Sequence, residues 1–174
     1  MRSVTEIAGK LQLLALDVDG VLTDGRVIYT HGGDEAKTFD IKDGLGIKLL
    51  QAAGIEVAII TGRRSAMVDR RAAELGIEHV IQGREDKLAA LNELLSHLNL
   101  SPEQVAYMGD DLPDLAAVQR AAMGCCPADA VEEVRHHAQW IATKPGGNGA
   151  VRELAEMLLR SRDQWETAIA RYHR

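Results

Sequence analysis

Two carboxylates two residues apart, Asp17 and Asp19, follow the apolar run Leu13-Leu14-Ala15-Leu16 and precede Gly20. Alternate side chains of an extended chain share a face, so both acids can point into one site at a strand's C-terminal end. Gly20 lets the backbone turn sharply there. A carboxylate so placed can attack phosphorus as a covalent nucleophile once a cation neutralises the like charges on it and on the phosphate. Asp17 is the candidate nucleophile, taking the phosphoryl group as an alcohol leaves. Asp19 is the candidate general acid toward that leaving oxygen, and then the general base toward the water that hydrolyses the aspartyl phosphate. Such chemistry requires a metal, and magnesium suits a site of carboxylates, phosphate oxygens and retained waters. Asp17 and Asp110 are the expected carboxylate ligands. An EF-hand reading of residues 17–24 fails, because Leu22 stands where that loop needs glycine and a strand precedes it.

Further along, Thr61 follows the apolar run 55–60 and offers a hydroxyl, and Gly62 offers a close-approaching amide, at a strand-to-helix turn suited to phosphate oxygens. Lys87, at a helix start, supplies a mobile charge that can balance the two acids and the transferring phosphoryl group. Asp110-Asp111 follow Val105-Ala106-Tyr107-Met108-Gly109. Asp111 is expected to hold a metal-bound water or to orient Lys87. Asp114 fits equally a surface acid of the following helix and a group standing behind the ligands. Arg63 and Arg64, with Arg70 and Arg71 two helical turns on, form either a solvated basic face or a fork onto a second substrate anion such as a carboxylate.

The ordered set Asp17-x-Asp19, Thr61, Lys87, Asp110-Asp111 resembles the haloacid dehalogenase-like phosphohydrolases over residues 11 to about 150. The resemblance implies a Rossmann-like α/β fold and magnesium, and it adds the backbone carbonyl of Asp19 to the metal ligands. Within that group, a short hairpin in place of a cap domain, the segment Asp40-Ile41-Lys42-Asp43-Gly44, the turn Thr61-Gly62-Arg63 and the stretch Lys144-Pro145-Gly146-Gly147-Asn148-Gly149-Ala150-Val151-Arg152-Glu153 resemble the phosphatases of 3-deoxy-D-manno-octulosonate 8-phosphate (Kdo 8-phosphate). That resemblance implies a role in bacterial lipopolysaccharide synthesis and a homotetramer in which flap and tail of one subunit complete another's site. It also implies that residues 40–44, Lys48, Arg63, Arg71 and Lys87 touch the sugar acid or its phosphate, beside Asp19 and Gly62. Two other readings remain at this stage. One is a phosphatase for another nonulosonate, such as a sialic-acid-type 9-phosphate. The other is a signalling receiver domain, which also carries a phosphoaccepting Asp, a Thr and a Lys, but whose phosphoacceptor stands alone rather than in a D-x-D pair. A P-loop reading has no G-x-x-x-x-G-K-[ST] to rest on.

The elements that must position these residues follow from apolar periodicity. Short apolar runs at 11–18 and 55–60, with further strands near 79–82, 105–108, 122–126 and 139–142, alternate with helical stretches. Those stretches are Asp43 to Ala53, Ser65 to Leu75, and 86–98 with Asp86 at the N-cap. Such alternation predicts a mostly parallel sheet wrapped on both faces, with ligands at the strands' carboxyl ends. The β-rich runs 26–30 and 35–41 around Gly32-Gly33 predict a hairpin flap over the site, spanning roughly 24–42. After Ile141 a glycine-rich loop leads to a helix from Ala150 to about Arg160, within a tail of residues 143–174. Trp165, Ile169 and Tyr172 at i, i+4, i+7 are expected to pack on their own domain or a neighbour. The pattern does not need the extension after Leu159.

The 174 residues suit one domain, and a net charge of −6 with pI near 5.5 argues against nucleic-acid or anionic-membrane partners. An anionic substrate would have to be drawn in by locally grouped Lys and Arg. The N-terminus does not read as a signal peptide, and no apolar run reaches the ~18 residues of a spanning helix, so the expected location is the cytoplasm. Cys125 and Cys126 are adjacent, a poor geometry for a mutual disulfide, and read as small buried residues of a strand.

Overall fold

Apolar segments too short for helices and buried on both faces form the strands of a parallel sheet, because helices cover both sides. The computed structural model describes residues 3–174. In chain order it contains α1 (Val4–Ala8), β1 (Leu13–Leu16), β2 (Ile28–Tyr29), β3 (Glu35–Ala36), α2 (Ile41–Ala52), β4 (Glu56–Ile60), α3 (Ala66–Leu75), β5 (His79–Ile81), α4 (Lys87–Leu98), β6 (Val105–Met108), α5 (Leu115–Arg120), β7 (Met123–Cys126), α6 (Glu132–His137), β8 (Trp140–Ile141), α7 (Ala150–Ser161) and α8 (Trp165–Ile169). Six strands form one parallel sheet in the order β5-β4-β1-β6-β7-β8, and β2 and β3 pair separately as an antiparallel hairpin.

The strand order reverses around β1. From there the chain builds outward through β4 and β5, then returns to lay β6, β7 and β8 on the other side. A crevice opens outside the carboxyl ends of the strands at such a reversal. Asp17 follows β1, Thr61 follows β4 and Gly109-Asp110 follow β6, so the candidate residues share that edge.

Alternation along β1 sends Leu14 and Leu16 into a core layer with Ile47, Leu50, Leu154 and Leu158 from α2 and α7. Leu13 and Ala15 face the opposite layer with Leu91, Leu94, Tyr107 and Val118. Cys125 and Cys126 are buried free thiols on β7, as expected. Among the described residues, no helix is long and apolar enough to cross a membrane.

Helix boundaries follow their caps. Asp86 accepts the Ala89 amide at 3.0 Å, so α4 starts on Lys87. Ser65 caps α3, and Gly76 ends it in the left-handed region at φ 69. Asp40 accepts the amides of Lys42 and Asp43 at 2.6 and 3.2 Å, so α2 begins at Ile41, two residues before the expected start. That cap takes Ile41 out of the hairpin, whose second strand shrinks to two residues. The short helix α1 carries an S-x-x-E capping box between Ser3 and Glu6.

The tail meets its expectation in part. α8 stops at Ile169, and a 3₁₀ turn over Ala170–His173 breaks the Trp165, Ile169, Tyr172 stripe. Trp165 packs against the core with the Arg160 guanidinium 4.5 Å from its ring centroid, whereas Tyr172 is exposed.

Candidate active site

Asp17 leaves the sheet with its amide bonded to the Met108 carbonyl at 3.0 Å. Its Oδ1 accepts the Val18 amide at 2.7 Å, and its Oδ2 lies 2.8 Å from Lys87 Nζ. Lys87, the first residue of α4, is buried, and its ammonium also donates to Asp114 Oδ1 at 2.7 Å. The Tyr107 hydroxyl donates to the same oxygen at 2.8 Å, while Asp114 Oδ2 accepts the amides of Asp110 and Asp111 at 3.0 and 3.3 Å. Fully buried Asp114 is therefore the hub that holds Lys87 and the turn after β6, and not a surface acid. Gly109 permits this, since a Cβ there would overlap the Asp114 side chain.

Asp111 does not orient Lys87. It is exposed, and its Oδ1 accepts the Leu112 amide at 2.8 Å, capping a 3₁₀ turn over Leu112–Asp114. Lys87 is oriented by Asp17 and Asp114 instead.

Asp17, Asp110 and Asp114 each bring a carboxylate oxygen within 4.8 Å of the others. Burial, followed by the Asp114 charge, pushes Asp17 up to about 8 against the pull of Lys87. Burial, then Asp114 and Asp111, pushes Asp110 up to about 7. Burial works against the Lys87 charge, yet Asp17 and Asp114 hold its pKa above the usual lysine range. Three carboxylates thus face one ammonium, a deficit of positive charge that a hard divalent cation fits. Asp114 already receives two donors on each oxygen, whereas each Asp17 oxygen faces only one, which leaves Asp17 and Asp110 as the carboxylates able to coordinate. Gly20, at φ 86, lets Asp110 approach: a Cβ there would overlap Asp110 Oδ2.

These groups open into a cleft of about 600 Å³ that is also lined by Asp19, Thr61, Gly62 and Arg63. A hollow of similar size, about 590 Å³, lies at the far edge of the sheet by Glu56, Glu78 and His79 and gathers no comparable set.

Lys37 was missed in the sequence. Its Nζ donates to Asp19 Oδ1 at 2.7 Å, with the side chain 2% exposed. Arg63 faces Asp19 Oδ2 at 3.8 Å and pairs with Glu35. Glu35 and Lys37 are two residues apart on an extended run, so one face of the hairpin reaches back over the acid pair. That period-2 pattern of charge, in a hairpin leaving directly after D-x-D, was the available signal.

Other expected substrate contacts do not line the cleft of this chain. Asp40 is the α2 cap, Ile41 is 81% exposed, and Lys42 and Lys48 are exposed. Gly44 lies beneath Arg71, which sits 5.7 Å from the Phe39 ring centroid, faces Glu74 at 3.5 Å and donates to the Asp40 carbonyl at 3.4 Å. Asp43 is buried against the start of α7, where it accepts the Arg152 amide. The arginine cluster accordingly divides: Arg63 faces the cleft, Arg64 packs over Gly83, and Arg70 pairs with Glu74 at 3.3 Å.

Residues 78–154 match the haloacid dehalogenase-like hydrolases. The 3-deoxy-D-manno-octulosonate 8-phosphate phosphatase of Yersinia pestis is 43% identical over 165 residues, 95% of this chain and 88% of its own length. The crystal structure of the Moraxella catarrhalis 3-deoxy-D-manno-octulosonate 8-phosphate phosphatase, in complex with magnesium ion, phosphate ion and KDO, superposes with a TM-score of 0.95 at 49% identity, covering 97% of each chain. A probable phosphatase from Pseudomonas syringae pv. phaseolica superposes with a TM-score of 0.96, also at 49% identity, over 98% of this chain and 97% of its own.

Proposed function

We propose that this chain, which belongs to the 3-deoxy-D-manno-octulosonate 8-phosphate phosphatases among the haloacid dehalogenase-like hydrolases, hydrolyses Kdo 8-phosphate to Kdo and inorganic phosphate. The observation that carries the reading is the convergence of Asp17, Asp110 and Lys87 at the strand-order reversal, with Asp114 holding them from behind. Kdo is a sugar of bacterial lipopolysaccharide, so the reaction belongs to that biosynthesis. Two unpaired thiols are compatible with a reducing compartment, and we assign the cytoplasm.

In the first step an Asp17 carboxylate oxygen attacks phosphorus, the bond from phosphorus to the sugar oxygen breaks, and Asp19 hands its proton to that oxygen. Water then attacks the aspartyl phosphate, Asp19 takes the water's proton, and phosphate leaves with Asp17 regenerated. Thr61 and the Gly62 amide hold phosphoryl oxygens, and Lys87 balances charge on Asp17 while it reacts. Asp17, Asp110 and the Asp19 carbonyl would hold magnesium, which offsets the negative charge shared by the phosphoryl group and the acids. Arg63 lines the cleft where the substrate's carboxylate can reach it, and buried Lys37 holds Asp19. Measuring phosphate release from a panel of sugar phosphates, with and without magnesium, tests the assignment. Turnover indifferent to the sugar acid would refute it.

EDTA should abolish phosphate release and magnesium restore it, because Asp17 and Asp110 otherwise repel the incoming phosphate. Asp110→Ala should raise the magnesium requirement or end activity, as a magnesium titration of initial rates would read out. Full turnover in metal-free buffer contradicts both expectations.

Arg63→Ala should raise KM for Kdo 8-phosphate well beyond KM for a neutral aryl phosphate, since losing a charge-assisted contact costs ~1.5–3 kcal/mol. Equal losses on both substrates would assign Arg63 to phosphate binding or folding.

We also assign a homotetramer in which Lys42, Lys48 and Arg71 serve a neighbouring subunit's site. Exposed apolar Val27, Ile28 and Tyr29 on the flap support it, since grouped exposed apolar side chains mark interaction surfaces. Light scattering that finds a fully active monomer would refute this assembly.

A further inference from the structure

Helix α7 begins without a cap from its own segment. Its N-cap is Gly149, at φ 104, which has no side chain to offer, so the first amides need acceptors from elsewhere. One comes from 109 positions away in the sequence: Asp43 Oδ1, on α2, accepts the Arg152 amide at 2.9 Å. Asp43 is 1% exposed, and its Oδ2 is buried without a hydrogen-bond partner among the described residues. A buried carboxylate is costly, and burial pushes this one up to about 6 despite the backbone amides of Arg152 and Gly149. The positive end of the α7 dipole offsets part of that cost. The two helices pack closely there, since a Cβ on Gly46 would lie 3.1 Å from Arg152 Cα.

The start of α7 carries the Gly146-Gly147 loop, which rests on the turn after the acid pair. A Cβ on Gly146 would overlap the Gly20 carbonyl, and the Gly147 amide donates to the Val21 carbonyl at 2.9 Å. That turn is itself closed on the Val18 carbonyl, which accepts the amides of residues 21, 22 and 23. Its position sets where the acid pair points.

We infer that Asp43 is a positioning residue of the phosphatase site: from α2 it caps α7 and so holds the Gly146-Gly147 loop against the turn that aims Asp17 and Asp19. The inference rests on the site assigned above but not on the identity of the sugar. It gives Asp43 a role behind the site, distinct from the substrate contact that family resemblance implies.

The test compares Asp43→Ala and Asp43→Asn in the full chain, using Kdo 8-phosphate, a neutral aryl phosphate and amide hydrogen exchange. Asp43→Ala should lower kcat ~10-fold on both substrates with KM within about 2-fold. Exchange at Gly147 and Arg152 should quicken at least ~10-fold. Asp43→Asn, whose amide oxygen can still accept from Arg152, should keep most of kcat and of the protection. A rise in KM for Kdo 8-phosphate alone, with exchange unchanged, would overturn the inference in favour of substrate contact. Faster exchange throughout the chain with kcat retained would overturn it in favour of a purely structural acid. Should Asp43→Ala fail to fold, Asp43→Leu, which fills the same space without an acceptor, must show the kcat loss with KM unchanged, and a normal kcat there overturns the inference. The exchange readout stands even if no sugar phosphate is turned over, so failure of the substrate assignment is separately visible.

Discussion

Asp17→Asn protein should fold, yet release phosphate at least ~10²-fold more slowly than the parent chain. The substitution keeps shape while removing the oxygen charge that attacks phosphorus. Folding should survive because Lys87 retains Asp114 at 2.7 Å. The metal-free site also carries more negative than positive charge. Asp17 is pushed up to about 8 there, so its ionised form is penalised in the folded state, and the neutral isostere removes the penalty. In EDTA the variant should therefore unfold no earlier than the parent while turning over almost nothing. Phosphate release and thermal unfolding on the same sample separate the two effects, and near-normal turnover would refute the nucleophile assignment.

The second large effect is that of Lys87→Met, which leaves two buried carboxylates facing each other without their cation. Removing one partner of a buried ion pair costs ~3–5 kcal/mol. Turnover should also fall at least ~10²-fold, because charge gathering on Asp17 and the phosphoryl group loses its balance. Magnesium binds the folded site and should recover part of the lost stability by mass action. The rise in Tm on adding magnesium should thus be larger for the variant than for the parent. An unchanged Tm in EDTA would mean that Lys87 does not bridge Asp17 and Asp114 in solution.

Asp17, Thr61, Lys87 and Asp110 were legible because each ends an apolar strand or begins a capped helix, and local pattern determines both. β6 falls at its expected residues, and α4 begins one residue after its expected cap, Asp86. What was not legible depends on contacts across the fold. Asp114 could not be told from a surface acid, since its burial is created by Tyr107 and by Lys87, 27 positions earlier. Lys37 gained its role only when the hairpin folded back 18 positions onto Asp19. The same holds for Asp43, whose partner is Arg152, and for Arg71, which the sequence could place near the phosphate turn but not turn away from the cleft. Asp40 is a local case: its N-cap signal competes with the β-rich residues that precede it, and the cap prevails.

The central position of β1 also has a bearing on synthesis. β1 pairs with β4 on one side and with β6 on the other, and the second partner begins at Val105, late in the chain. Asp110, Asp114 and the Tyr107 hydroxyl all arrive with or after that strand, whereas Asp17 and Lys87 emerge earlier. A nascent chain or folding intermediate lacking β6 consequently holds half a cation site and a lysine with one partner. Closing a pairing that long is also the slow kind of step. Competence for phosphate chemistry should therefore appear only with the last stages of assembly, and a ribosome stalled short of residue 110 displays a polypeptide with no metal centre to fill.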